Sequence, residues 1–366
     1  MMNHALRKWL VTLGTAVSLL VVVGATGAPA TAEPRGTSQP LLAAQTQGTK
    51  GRYIIGLSNS FFGNATRVEM EKIVEAEAKQ PPWNRMVKKL IIMNAGNDVA
   101  AQIANIDTMI SEHVNAILID AASPSGLNGA IAAAHARGIV VVGYDNVPSS
   151  PFAVNVEEPM VQYSTEGMDW LAKTLHGKGN IVVIRGVAGT YDDTLEAKGI
   201  ANVLKQYPGL HVLNTSFGNW DEADAETVMS GLLSSFPNIN GVYTEGGEMG
   251  GVLQAFAKAG RKFVPTTGGS LNGTNELWEK DISKGLVGWA VTPDVWQSAY
   301  AFNTALKILS GKRVPRVVIA PLVTMTNATV RKYTSTRYPG DMYLDVGDPA
   351  VGVNLTPAEV VSQPAP

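Results

Sequence analysis

The sequence has no cysteine and no marked excess of either charge sign. Without a cysteine in its 366 residues, the chain has neither a disulfide framework nor a thiol for lipid attachment. Its formal net charge is -2, and nucleic-acid phosphates call for clustered Lys and Arg. We therefore expect no disulfide, no lipid anchor and no nucleic-acid partner.

The sequence also lacks the usual signatures of a catalytic or metal centre. There is no G-x-S-x-G elbow, no Walker A loop, and no G-x-G-x-x-G after the first strand. Four histidines lie beyond the N-terminal segment, each isolated and without metal-ligand spacing: His113, His135, His176 and His211. The paired carboxylates Glu245 and Glu248 leave open an acid and base pair on an enzyme. Because nothing nominates a nucleophile, a metal or a cofactor, we predict a binding protein that is not an enzyme.

No apolar run of the sequence reaches the roughly 20 residues that span a bilayer. The N-terminal run from Trp9 to Val23 is interrupted by polar residues, follows Arg7 and Lys8, and precedes Ala30-Thr31-Ala32. This is the layout of a secretory signal peptide, with an uncleaved anchor as the alternative. We expect a signal peptide over residues 1–32, cleavage after Ala32, and a soluble periplasmic protein.

Short apolar strands alternate with amphipathic helices from Tyr53 onward. Residues 33–52 are rich in Gly, Pro, Thr and Gln and predict a flexible leader. In the predicted helix 99–112, Val99, Ile103, Ile106 and Ile110 recur at helical spacing and form one buried stripe. Such alternation predicts an α/β fold with parallel sheets covered on both faces.

The alternation occurs twice, which predicts two lobes. The first series has strands at 53–57, 90–93, 116–120 and 139–143, with helices at 65–79, 99–112 and 126–137. The second series has strands at 180–184, 211–214, 240–243 and 285–291, with helices at 160–175, 192–206, 222–235, 249–259 and 294–310. We assign residues 53–154 with 293–318 to the N-terminal lobe, 155–292 with 319–335 to the C-terminal lobe, and 336–366 to a tail on the surface.

The loops that follow these strands combine amides, carboxylates and aromatic rings. They are SNSFFGN (58–64), NAGND (94–98), DAASPSG (120–126), YDN (144–146), RGVAGTYDD (185–193), GNW (218–220) and TEGGEMGG (244–251). Open parallel sheets bind ligands at this edge. Amides and carboxylates exchange hydrogen bonds with hydroxyls, and aromatic faces cover the apolar side of a sugar ring. The loops therefore favour a sugar site.

With GLSNSFFGN, GYDN, VAGTYDD and TEGGEMGG in this order, residues 53–330 resemble the ribose-binding branch of the periplasmic sugar-binding proteins. The resemblance implies a type I periplasmic binding fold, in which two Rossmann-like lobes joined by a three-segment hinge close on the ligand. It also implies delivery of the ligand to the permease of an ATP-binding-cassette (ABC) importer by a monomer. A receptor for a sensor kinase or a chemoreceptor is the alternative.

The resemblance implies ligand contacts from both lobes. Asn59, Phe61 and Phe62 match the first-loop Asn and aromatic pair of the family, although either Phe could pack in the core instead. Asp145 matches an acid that usually precedes an Arg, and Trp220 an aromatic that faces the first lobe. The full set of candidate ligand-binding residues is Asn59, Phe61, Phe62, Asn64, Asp145, Asn146, Tyr191, Glu196, Trp220, Glu245 and Gly246.

Departures from the ribose-type pattern indicate another ligand. Glu196 stands where the pattern has Arg and Gly246 where it has Asn, although Glu196 on a solvated helix face is the alternative. Carboxylates accept hydrogen bonds that an Arg would donate. We therefore expect a cleft without Arg that binds a neutral sugar or polyol and rejects sugar acids and sugar phosphates.

Overall fold

The computed structural model describes residues 52–269, 271–292 and 295–364. The predicted signal peptide, its cleavage point after Ala32 and nearly all of the predicted leader lie outside these residues. No helix in the described ranges is both long and apolar enough to cross a bilayer.

Twelve strands and ten α-helices, numbered in chain order, make up the described part of the chain. The strands are β1 (Tyr53–Asn59), β2 (Val87–Asn94), β3 (Ala116–Ile119), β4 (Val140–Tyr144), β5 (Val154–Glu157), β6 (Lys178–Arg185), β7 (Gly209–Phe217), β8 (Gly241–Thr244), β9 (Thr266–Gly268), β10 (Gly288–Thr292), β11 (Val317–Ile319) and β12 (Val323–Thr326). The helices are α1 (Ala65–Lys79), α2 (Val99–Ser111), α3 (Asn128–Ala136), α4 (Met160–Thr174), α5 (Tyr191–Gln206), α6 (Glu222–Ser235), α7 (Met249–Lys258), α8 (Asn272–Ile282), α9 (Gln297–Leu309) and α10 (Pro357–Val361). Two short 3₁₀ helices cover Trp83–Arg85 and Val330–Tyr333.

The strands form two sheets of six, one in each lobe. The strand order is β11-β5-β4-β3-β1-β2 in the first sheet and β12-β10-β9-β8-β6-β7 in the second. All neighbouring strands pair in parallel except β10 and β12, which are antiparallel. Buried aliphatic clusters lie on both faces of each sheet, as short apolar strands require. The prediction of two parallel α/β lobes is confirmed.

The chain crosses between the sheets three times before its tail. The crossings lie between β5 and α4, between β10 and α9, and between β11 and β12, which places β5 and β11 at one edge of the first sheet. Helix α9 then packs on the first sheet, where Trp296 and Phe302 are fully buried. Three crossings give the two lobes a common hinge.

The C-terminal tail connects the lobes a fourth time. It leaves the second lobe at the start of α8, where the Asn272 amide Nδ2 donates to the carbonyl oxygens of Ser335 (2.9 Å) and Tyr338 (3.1 Å). It then enters the core of the first lobe with six buried apolar side chains: Met342, Tyr343, Val346, Val353, Leu355 and Val360. The residues predicted as a surface tail thus supply part of the first lobe's core.

Candidate functional site

A cavity of about 620 Å³ lies between the lobes, at the carboxyl ends of the parallel strands. Its first-lobe wall comes from the start of α1 and the loop after β4, and its second-lobe wall from the start of α5 and the loops after β7 and β8. The polar residues on these walls include Asn64, Thr66, Arg67, Asp145, Asn146, Glu158, Asp192, Glu196, Trp220 and Glu245. From the tail, Gly340, Asp341 and Tyr343 complete the lining. Ligands of open parallel sheets bind at this edge because the strand ends leave a crevice there.

The first-lobe wall is organised around Arg67. Its guanidinium forms ion pairs with the buried Asp120 (Nε to Oδ2, 3.3 Å) and with Asp145. The Asn146 amide donates to Asp120 Oδ1 (3.0 Å) and to Asp145 Oδ2 (2.9 Å), which holds both carboxylates in place. Burial raises the pKa of Asp145 to about 6, against the opposing effect of Arg67. The expectation of a cleft without Arg is wrong, because the first turn of α1 supplies one.

Buried acids lie on the second-lobe wall and, in the case of Glu248, against the backbone of the wall residue Trp220. Glu245 accepts hydrogen bonds from Gly186 N (2.8 Å) and Arg185 Nε (3.3 Å). Glu248 accepts from Trp220 N (3.0 Å). Burial raises the pKa of Glu245 to about 8 and that of Glu248 to about 7, although these hydrogen bonds oppose the rise. Both acids retain protons to a higher pH than exposed glutamates.

Trp220 lies against two glycines, which fix the position of its indole. A Cβ on Gly186 would collide with the indole ring, and a Cβ on Gly246 would come within 3.1 Å of Trp220 Cδ1. The backbone of Trp220 is left-handed, with φ of 53°, and such a conformation in a bulky residue persists only where its surroundings enforce it. The indole is half-buried and lines the cavity.

Seven of the eleven candidate residues line this cavity. They are Asn64, Asp145, Asn146, Glu196, Trp220, Glu245 and Gly246. Asn59 is fully buried and its amide donates to Glu71 Oε1 (3.0 Å) instead. Phe61 and Phe62 are 39% and 38% exposed in the loop after β1, so neither packs in the core, and neither is among the residues that line the cavity. Tyr191 is exposed at the start of α5.

Several lining residues escaped the sequence analysis, above all Arg67, Glu158, Asp192 and Gln297. Arg67 was predictable from the sequence, because an Asn at position 64 is a typical helix N-cap. Asn64 indeed caps α1 by accepting a hydrogen bond from Arg67 N (2.9 Å), which places Arg67 in the first turn of α1, close to the end of β1. Asp192 lies four residues before Glu196, on the same helix face. Gln297 comes from a distant segment, and only the fold brings it to Asp145 N, which donates to its Oε1 (3.0 Å).

Comparison with known proteins assigns the same kind of fold. The sequence profile described as "Periplasmic binding protein domain" matches residues 55–313. A xylitol-binding protein of Mycolicibacterium smegmatis is 31% identical over 66% of this chain and 70% of its own length. The ribose import binding protein of Bacillus subtilis is 28% identical over 75% of this chain and 88% of its own length. A crystal structure of an ABC transporter solute binding protein from Thermobispora bispora matches with a TM-score of 0.70 at 30% identity, over 80% of this chain and 91% of that one.

Proposed function

This chain belongs to the periplasmic binding protein family, and we propose that it captures a small neutral sugar or polyol between its lobes and delivers it to an ABC permease. The observation that carries the ligand class is the cavity wall, where eight acidic side chains accompany Arg67, the one basic residue among the described lining residues. Carboxylates accept hydrogen bonds, and hydroxyl groups of a sugar or polyol donate them. The family resemblance predicted from the sequence is confirmed.

Delivery follows from closure of the lobes around the ligand. Three crossings allow a hinge motion that buries the ligand and brings two lobe surfaces together for a membrane partner. The site of action is the periplasm, with mature protein starting after Ala32 and acting as a monomer. In this role the protein binds its ligand without chemical change.

Ligand contacts come from both walls. Asn64, Asp145 and Asn146 act from the first lobe, and Glu245 with the backbone of Gly246 acts from the second. Trp220 covers the apolar side of the ligand. Because Gly186 and Gly246 already hold its indole in place, the side chain loses little conformational entropy when the ligand binds. Phe61 and Phe62 close over the opposite side when the lobes move, and Asn59 and Tyr191 border the site.

Arg67 does not make the cleft suited to anions. Its guanidinium is shared between Asp120 and Asp145, so its charge is already balanced by two carboxylates. A sugar acid or sugar phosphate would bring an anion against the remaining acids with no free cation to offset its desolvation.

A thermal-shift and calorimetry screen tests the proposal. We expect stabilisation by a neutral compound from a panel that includes xylitol, D-ribose and myo-inositol, and none by their aldonate, uronate or phosphate counterparts. A ligand at 100 times its dissociation constant adds about 2.7 kcal/mol to the free energy of unfolding. Micromolar binding of a sugar acid, without binding of any neutral compound, would contradict the proposed ligand class.

A further inference from the structure

Glu196 is a buried acid without a partner on the cavity wall. Its side chain is 0% exposed, and neither carboxyl oxygen has a hydrogen-bond partner in the described part of the chain. The residue nevertheless lines the cavity between the lobes. Leaving a buried polar group unsatisfied costs about 1 to 3 kcal/mol, more for a charged one.

The helix holds Glu196 in this position. The buried face of α5 carries Asp193, Glu196, Gly199, Ile200 and Val203, at helical spacing. At Gly199 the helix packs so closely on α4 that a Cβ would overlap Ser164 Oγ. Rotation of α5 that would expose Glu196 is therefore blocked.

The neighbouring acids Asp193 and Glu245 have donors from the protein, whereas Glu196 has none in the described part of the chain. Asp193 on the same face pairs with Arg185 (2.7 Å) and accepts from Gly189 N (2.9 Å). Arg185 also reaches Glu245, so no charge of this cation is left for Glu196. The neighbouring Tyr243 hydroxyl also has no partner in the described part of the chain, and the cavity that Glu196 lines is where a ligand group can reach this carboxyl.

The acids that face Glu196 disfavour its ionised form. They are Asp192 on its own helix, Glu158 on the first crossing, and Glu245 and Glu248 in the loop after β8. The hydroxyl groups of Tyr163 on α4 and Tyr243 on β8 also face Glu196, and both are neutral, since burial raises their pKa values well above the usual range. Burial raises the pKa of Glu196 well above its ordinary value, and the charges of Glu245 and Asp192 raise it further. Arg185, at the end of β6, is a cation that is already paired with Asp193 and Glu245.

We propose that Glu196 is the specificity-determining residue of the second lobe, and that it meets the ligand as a neutral acid. A protonated carboxyl has one O–H donor and one carbonyl acceptor on the same group. It therefore forms a reciprocal pair of hydrogen bonds with two adjacent hydroxyl groups, one donating and one accepting. This inference rests on the proposed function and adds a proton requirement: ligand affinity falls as the pH rises and Glu196 ionises.

Calorimetry at pH 6.0, 7.5 and 9.0 tests the proposal, with xylitol as the probe and with D-ribose and myo-inositol measured in parallel. In the wild type we expect affinity to fall at least about threefold from pH 6.0 to 9.0, since a required proton is lost at up to tenfold per pH unit above its pKa. Glu196→Gln keeps the shape and a donor-acceptor pair, so we expect affinity within about threefold of wild type at pH 6.0 and a smaller fall to pH 9.0 than in the wild type, leaving only the change due to Asp145 and Glu245. Glu196→Leu removes both hydrogen bonds, and we expect a loss of at least about tenfold.

Glu77→Gln provides the matched control. Glu77 is also buried on a helix, but its Oε1 accepts from Asn303 (2.8 Å) and Trp83 (3.0 Å), and it does not line the cavity. This variant should keep the wild-type pH dependence of binding.

The outcomes separate the two proposals. Binding of a neutral probe with pH-independent affinity, or the same pH dependence in Glu196→Gln as in wild type, would overturn the role of Glu196 alone. Failure of all neutral probes at all three pH values would overturn the proposed function together with it.

Discussion

Two glycines determine where the indole of Trp220 lies. Gly186 and Gly246 leave room for the ring, since a Cβ at either position would crowd it, and Glu248 Oε1 accepts a hydrogen bond from Trp220 N. The sequence analysis named Trp220, in the polar loop after β7, through the family resemblance. The contact of its indole with Gly186 and Gly246 joins three separate loops of the second lobe. A single sequence does not reveal such a contact.

Trp220→Ala is expected to weaken ligand binding by about 1 to 3 kcal/mol, the usual contribution of a buried aromatic contact. Calorimetry with the best neutral ligand measures the loss, and ligand addition should change the tryptophan fluorescence of the wild type. Trp170→Ala is the control, since Trp170 stacks on Trp289 (ring centroids 6.4 Å apart) away from the cavity. Unchanged affinity in Trp220→Ala would remove Trp220 from the site.

Most helices and strands were predictable because their buried faces are apolar. Helix α2 and the apolar strands β3 and β4 lie close to their predicted bounds. Of the predicted stripe in α2 only Ile106 is fully buried, while Val99, Ile103 and Ile110 are partly buried against the same core. Strand β5 escaped prediction because it is four residues long and half polar. The strand predicted over 285–291 is β10, at Gly288–Thr292.

Helix α8 escaped for a different reason, since its buried face is largely polar. Asn272, Thr274, Asn275 and Asp281 are buried there, with Trp278 as the one large apolar residue. Hydrophobic periodicity cannot detect such a face. Two of these polar residues bind the segment that leads into the tail: Asn272 Oδ1 accepts from Ser335 N (2.9 Å), and Asn275 Nδ2 donates to Tyr333 O (2.9 Å).

Asn272→Ala is expected to lower the free energy of unfolding by about 2 to 4 kcal/mol, because it removes the hydrogen bonds between a buried amide and the partly buried backbone of residues 335–339. Urea denaturation measures the change. Asn238→Ala, at an exposed position after α6, should change stability by less than about 0.5 kcal/mol. Equal stability of the two variants would show that the tail does not depend on α8.

At the scale of the whole molecule, the two lobes close a cavity lined by more acids than the protein neutralises. Sequence reasoning placed Glu196 and Glu245 in that site, because the resemblance fixed their loops. It missed Arg67 and the tail residues Asp341 and Tyr343, since the crossing of the tail from α8 to α1 is a property of the folded chain. Tyr343 N donates to Glu69 Oε2 (2.9 Å) on α1, which completes the crossing.

The same surplus of buried acids determines how stability depends on pH. Burial raises the pKa of Glu248 to about 7, that of Glu245 to about 8 and that of Asp145 to about 6. In the unfolded chain these groups release their protons near pH 4. Between about pH 5 and 8 the folded state therefore holds protons that the unfolded state has lost, and stability falls as the pH rises.

We expect the free energy of unfolding, measured by urea denaturation without ligand, to be higher at pH 5.5 than at pH 8.5. Glu248→Gln should reduce this difference by roughly 1 to 3 kcal/mol, because the amide keeps an acceptor for Trp220 N but has no proton to release. Glu359→Gln is the matched control: hydrogen bonds from the Thr356 side chain and backbone lower the pKa of Glu359, so its stabilisation is lost only at more acidic pH. Stability that rises from pH 5.5 to 8.5 in the wild type would mean that these acids are ionised in the folded protein, with Arg67 and Arg185 outweighing the effect of burial.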